Sequence, residues 1–290
     1  DLFAYLEILI PSGEVEQVEP PEQIPAPLRV EWRDGVLAEA VQASELEGNE
    51  DALARDGWEA LKEFFDDIEA MLEQNNHAGL KRAVDAFGRS LGQQYEEMRA
   101  IGVGTHGQRI MEFAKRADDI LLEEAAAELV AFSGVISNML PRFPSWQAFL
   151  AAAQGSAADA PLSDAAASLK EISVSLSEAA DVSKDLAEKF GDIVELAEDP
   201  DAPEDVARQG VLASVSNVLS AVGSVALKVA RDIGTEAYKA GTKTTAAGIL
   251  AGAADIFFNK GQVLIGLSAK YPGMLGWLEG VVQAVLRLAG

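Results

Sequence analysis

Along the 290-residue chain, apolar positions change their spacing several times, and each change marks an element. Leu2, Phe3, Tyr5, Leu6, Ile8, Leu9 and Ile10 form a short run closed by Pro11-Ser12-Gly13. Its length and β-favouring composition predict a buried strand. Glu14 to Pro27 sets Pro20, Pro21, Pro25 and Pro27 among acids. Proline removes backbone donors and fixes extended geometry, so an exposed loop is expected there. Leu28, Val30 and Trp32 then alternate up to Asp34-Gly35, and Val36-Leu37-Ala38 follows. That is the pattern of a hairpin whose turn needs positive φ angles. Residues 1–42 are therefore expected to form a small β element of two or three strands, packed on helices.

Beyond the acidic passage Ser44 to Asp51 the period becomes helical. Leu53, Trp58, Leu61, Phe65, Ile68 and Leu72 predict a first helix, stopped at Gln74-Asn75-Asn76. Leu80, Val84, Phe87, Leu91, Tyr95 and Met98 predict a second, ahead of glycines 102, 104 and 107. A third, long helix is expected from the stripe that starts at Ile110 and Phe113 and continues through Leu129, Phe132 and Ile136 to Leu140, with Pro141 and Pro144 ending it. A short amphipathic piece with Trp146, Phe149 and Leu150 completes an N-terminal helical part, residues 50–154. Gly155 to Ser163 is small, polar and proline-containing, the composition of a linker.

Residues 164–290 read as a C-terminal helical part. Leu169, Ile172, Leu176, Ala179, Ser183, Leu186, Phe190, Ile193 and Ala197 alternate steps of three and four, a heptad seam interrupted by one serine. It predicts a long helix lying lengthwise on a partner helix, in the same chain or in another. Asp199 to Asp205, with Pro200 and Pro203, breaks this helix and starts the next. That one carries Val211, Val215, Val218, Val222, Val225, Val229 and Ile233 on one side and Ser216, Ser220 and Ser224 on another. A further helix is expected from Thr235 to Phe258, with Gly248 and Gly252 forming a GxxxG match that lets helices approach closely. Asn259-Lys260-Gly261 reads as a turn, Val263 to Ala269 as a short helix and Tyr271-Pro272-Gly273 as a break. Trp277, Leu278, Val281, Val282 and Val285 mark an apolar closing helix. The expected fold class is mostly α: a multi-helix bundle with long helices and a small N-terminal β element.

Composition agrees, since 49% hydrophobic content supplies a sizeable core and only 7% aromatic content argues against a β-sandwich. Absence of cysteine excludes disulfides, thiolate nucleophiles and Cys-bound metals, and fits the reducing cytoplasm. Leu2 to Ile10 is short, broken by Glu7 and lacks a basic flank, so it does not read as a signal peptide. Charge changes the picture more. The chain carries −24 overall, yet from Val206 onward eight basic residues face four acids. The tail is thus +4 and the preceding part −28. So acidic a body is repelled by phosphate backbones, which excludes nucleic acid as a partner. Gln209 to Leu227 carries no charge and, at about 19 residues, is long enough to cross a bilayer. Its Ser214, Ser216, Asn217, Ser220 and Ser224 weaken that reading in favour of a buried helix.

Motifs of chemistry are sparse. Gly102-Val103-Gly104-Thr105-His106-Gly107 matches GxGxxG, but a dinucleotide site needs a preceding strand and Gln93 to Ala100 reads as helix; a turn between helices is expected there. Of the two histidines, His77 and His106, neither sits in a metal-binding spacing. The paired acids Asp66-Asp67, Glu96-Glu97, Asp118-Asp119 and Glu123-Glu124 diverge around their helices and read as solvated faces. No catalytic, cofactor-binding or metal-ligating residue is assigned, and no cofactor is expected. The candidate interaction residues are Trp32 on the hairpin, Val211, Val215 and Val222 on the valine stripe, Gly248 and Gly252, and Trp277 and Val281 on the closing helix. The expectation is a non-enzymatic soluble interaction or assembly protein, an acidic body covering an apolar, slightly basic C-terminal segment, with a protein partner or self-association. The alternative is a conditional membrane-inserting effector using residues 206–290; an enzyme of unrecognised type comes third.

Overall fold

The computed structural model describes residues 18–40, 45–74, 77–155, 160–240 and 252–289. The strand expected at Leu2 to Ile10 and the Gly248 half of GxxxG lie outside these residues, as do residues 156–159 of the proposed linker. The described fold is mostly helical with one antiparallel hairpin, as predicted. Strand β1 (Val30–Arg33) pairs with β2 (Val36–Glu39) across Asp34 and Gly35, at φ 50° and 78°. Two consecutive positive φ values are what a tight two-residue turn demands, and Gly35 meets that demand without steric cost. Both outer edges of the hairpin are engaged. The Gln23 carboxamide donates to Val30 O at 2.6 Å and accepts from Val30 N at 2.9 Å. On the other side Leu37 N donates to Asp181 O at 2.7 Å, and Ser183 N donates to Leu37 O at 2.9 Å.

The first helical group comprises α1 (Gly48–Gln74), α2 (Ala78–Leu91), α3 (Ala100–Ala114), α4 (Ala117–Ile120), α5 (Glu123–Met139) and α6 (Pro144–Gly155). Leu61, Ile68, Leu80, Phe87, Ile110, Phe113, Phe132 and Trp146 meet in one apolar core. Two expected helices are corrected. The second stops at Leu91 because Gly92 turns the chain at φ 75°, and Tyr95–Glu97 is a separate 3₁₀ turn. The long helix through 110–140 is instead α3, α4 and α5. Arg116 and Leu122 leave helical geometry, and α4 and α5 restart with Asp118-Asp119 and Glu123-Glu124 in their first turns. Acids there interact favourably with exposed N–H groups at a helix start. The apolar stripe continues because α3 and α5 both face the same core.

The second group comprises α7 (Ala166–Glu178), α8 (Lys184–Glu195), α9 (Glu204–Ala240), α10 (Asp255–Asn259), α11 (Gly261–Lys270), α12 (Pro272–Leu275) and α13 (Trp277–Ala289). The continuous heptad helix is corrected to α7 and α8, which fold back on each other. Its interrupting serine is the reason: Ser183 is extended and accepts from Leu186 N at 3.2 Å, capping the start of α8. The lengthwise partner of one half of the seam is the other half. The break expected before Thr235 is also absent, since α9 runs on through Gly234 to Ala240, and Asp255 to Phe258 belong to α10. Around α9 a second core collects Leu37, Leu169, Ile172, Phe190, Val211, Val215, Val218, Val222, Phe257, Leu264, Leu278 and Val281.

Candidate functional site

Helix α9 is the axis on which the candidate residues converge. Within Glu204–Asp232 its most apolar 18-residue window has mean hydropathy 1.7, enough to span a membrane by length and composition, yet 83% of that window is enclosed by protein. Its polar side chains explain how. Asn217 Oδ1 accepts from Ile24 N at 2.9 Å, while its Nδ2 donates to Ile24 O at 2.9 Å and Leu28 O at 3.0 Å. Ser214 Oγ accepts from Leu28 N at 3.2 Å, and the Ser220 hydroxyl donates to Pro21 O. The proline-rich stretch 18–28 is thus a strap on α9. Its backbone has lost donors to proline and, among the described residues, has no neighbouring strand backbone, so side chains on the helix supply partners.

Trp32 also closes onto α9, donating from Nε1 to Ala221 O at 3.1 Å. From the opposite side Trp277 Nε1 donates to Ser216 Oγ at 3.3 Å, and Val281 packs close to Gly223. Val211, Val215, Val222 and Val281 are fully buried. These candidates therefore come together inside the molecule, leaving Trp32 and Trp277 half-buried at its margin. Gly252 stands apart, held against the Asp181 carboxylate, which accepts from Ala253 N at 2.7 Å.

A second polar assembly joins the two helical groups. Arg89 of α2 donates to both oxygens of Asp192 of α8, at 2.5 and 2.6 Å. Arg99 reaches Glu39 of the hairpin at 2.9 Å, and Lys189 reaches the other Glu39 oxygen at 2.6 Å. Arg109 pairs with Asp199 and Arg116 with Asp201. Arginines of the first group thus meet acids of the hairpin and second group along one seam. The Arg109–Asp199 pair is buried, with side chains 3% and 8% exposed. Burial pulls the Arg109 guanidinium below its ordinary range while Asp199 opposes that. Burial pushes the Asp192 carboxyl up, only partly offset by Arg89, and Asp192 in turn holds Arg89 up. For Lys189 burial acts downward, but Glu39 and Asp185 outweigh it and the net shift is upward.

At the centre of this seam lies His106, the histidine of the GxGxxG match. Neither a nucleotide loop nor the expected turn forms there: Gly102, Gly104 and Gly107 are interior to α3 and let Ser90, Trp146 and Ile136 approach its backbone. His106 is buried and pulled down to about 3, by burial first and then by the charges of Arg109 and Arg89. It borders a void of about 10 Å³ lined by Pro27, Leu28, Glu39, Ser90, Lys189, Asp192 and Ile193, room for about one water molecule. Among the described residues, the buried side-chain atoms without a hydrogen-bond partner are His106 Nδ1, Arg109 Nε, Arg208 Nε and Gln209 Oε1. All four fall on the α3 and α9 stretches that meet where Thr105 packs near Gly210. Sequence reasoning missed this concentration, for which the only local sign was a histidine within a turn of arginine.

An open groove of about 700 Å³ runs between α7 and α10. Val174, Ala179 and Ala180 supply its apolar surface above the buried Ile256, and Lys170, Glu171, Glu178, Asp255, Asn259 and Lys260 its polar surroundings. Val174 is 54% exposed, unusual for a valine on a helix that otherwise buries its apolar face. Among the described residues no group of three His, Asp or Glu is placed to hold a metal ion. No protein family model, curated protein or solved structure matches the chain.

Proposed function

We propose that this protein acts by binding, as a helical interaction protein whose acidic body encloses the apolar C-terminal helices and whose docking face is the α7–α10 groove. The exposed Val174 at that groove is the observation that carries the reading. An open channel between two helices, apolar within and charged around, suits an amphipathic helix of a partner protein or of a second copy. Lys170 is paired with Glu198, Lys260 with Glu171 across the groove, and Asp255 with Asn259, so a partner's charges would exchange with these exposed pairs and the rim selects orientation more than it adds affinity. The test combines a photo-crosslinking residue at position 174 with Val174→Glu. Specific crosslinks at 174 but not at the equally exposed Val130 are expected, and a separate Val174→Glu chain should fail to form the same partner or self-complex in size-exclusion chromatography. Equal labelling at both positions, or an unchanged complex with Val174→Glu, would overturn the proposal.

One observation favours a second reading, conditional insertion of residues 206–290 into membranes. Glu204–Asp232 contains an apolar window long enough to span a bilayer, and Ser214, Asn217 and Ser220 on it are bonded to the strap rather than to water. Mixing the full chain with dye-loaded anionic liposomes tests it. Absence of both leakage and co-flotation across neutral and acidic pH would remove this reading.

A further inference from the structure

We infer that the seam between the helical groups is an acid-released latch, in which proton uptake by the buried His106 imidazole parts α3 from the strap end and α8 while each group keeps its helices. The inference is independent of the α7–α10 groove. Its basis is geometric: an imidazole enclosed by four separate elements, with Nδ1 unpartnered, at a boundary between two distinct apolar cores.

The surroundings can accept the neutral ring but not its conjugate acid. From α2 come Arg89 and Ser90, from β2 Glu39, from α8 Lys189 and Asp192, and along α3 itself Arg109. The strap contributes only Pro27 and Leu28. Each nearby carboxylate is already engaged: Glu39 by Arg99 and Lys189, Asp192 by Arg89 through both oxygens, and Asp199 by Arg109 and the backbone of Asp201. An imidazolium would therefore stand among arginine and lysine charges with every neighbouring carboxylate already engaged elsewhere. Opening the seam supplies water to the ring.

The sign follows from the direction of the shift. His106 is held neutral down to about 3 when enclosed, whereas a solvated imidazole takes its proton near 6.5. The closed state is favoured fully above 6.5 and loses about tenfold against the open state for each pH unit below it. Lys189, shifted upward, stays charged in this window and contributes no change. Asp192, shifted upward, opposes the effect, because the closed state retains a proton there more readily. Local opening rather than wholesale unfolding is expected, since ion pairs join α2, α3 and the hairpin to α8 while α9 stays packed on α6 through Val206 and Gly210, and each group has its own core.

The experiment uses the full chain, which has no cysteine, with Ser137→Cys on α5 and Ser177→Cys on α7 carrying a donor and acceptor dye. Energy transfer and far-ultraviolet circular dichroism are followed from pH 7.5 to 4.5, in the labelled parent and with His106→Gln or His106→Leu added. The expected result is transfer that changes in the parent while helicity is retained, with the midpoint at least one pH unit lower in a variant lacking the ring. Constant transfer down to pH 4.5, loss of helix at the same midpoint, or identical midpoints with and without His106 would overturn the inference. The His106 ring resonance in the unsubstituted chain gives a second readout that needs no variant. Protonation near 6.5 with no change of transfer would equally overturn it.

Discussion

Replacing Asn217 by alanine should release the strap from α9. The side chain is 1% exposed and makes three hydrogen bonds to strap backbone, two with Ile24 and one with Leu28. Each is worth about 1 kcal/mol net, and leaving backbone groups dry and unpaired adds about 1 kcal/mol more, so the local cost is about 4 kcal/mol. At about 1.4 kcal/mol per tenfold, strap opening should rise about 10²- to 10³-fold. Amide exchange at Ile24 and Leu28 reads this directly, and cleavage by a glutamate-specific protease after the exposed Glu22 reads it independently. Exchange at Ala213 and Val218, in the body of α9, should rise less, because their hydrogen bonds belong to the helix. An Asn217→Ala protein whose Leu28 amide and Glu22 cleavage rate both stay within about threefold of the parent would refute the assignment of Asn217 as the clamp.

Three further outcomes follow from the seam and the first core. Arg109→Met strands Asp199 in a buried position and should cost about 3–5 kcal/mol in urea unfolding, with Asp199→Asn in the same chain restoring a large part of it. Gly104→Ala drives a methyl group into the Trp146 ring and should cost about 1–3 kcal/mol, with a red shift in tryptophan emission as the ring is displaced. Lowering pH from 6.5 to 5 should cost the parent about 2 kcal/mol through His106, a loss absent from His106→Leu; denaturant titrations at both pH values give the comparison.

The hairpin and the helical class were legible because their signals are local. Asp34-Gly35 demanded positive φ, and three- and four-residue spacing demanded helices. Helix boundaries were less legible where an apolar stripe ran unbroken through a change of direction. Ala179 and Ser183 fitted a heptad although the chain folds back between them, and Asp118-Asp119 and Glu123-Glu124 marked new helix starts that their solvated appearance concealed. The serines and asparagine of α9 were read as favouring a buried helix, but their partners lie nearly 200 positions earlier, beyond any periodicity. The seam was hidden for the same reason: Arg89, Arg99, Arg109 and Arg116 look like surface charges until the second group supplies their acids.

The two occupied edges of the hairpin have a consequence for self-recognition. With the Gln23 carboxamide serving as a mock strand at Val30 of β1, and the Asp181–Ser183 backbone held against Leu37 of β2, each edge is occupied at that position against an incoming peptide. Recruitment by β-addition and fibrillar stacking through this hairpin are closed together. Removing one side-chain amide, as in Gln23→Ala, would uncover Val30 and create a new opportunity for polymer growth. Among the described residues, the outward backbone groups of Val30 and Leu37 are thereby turned to the chain itself.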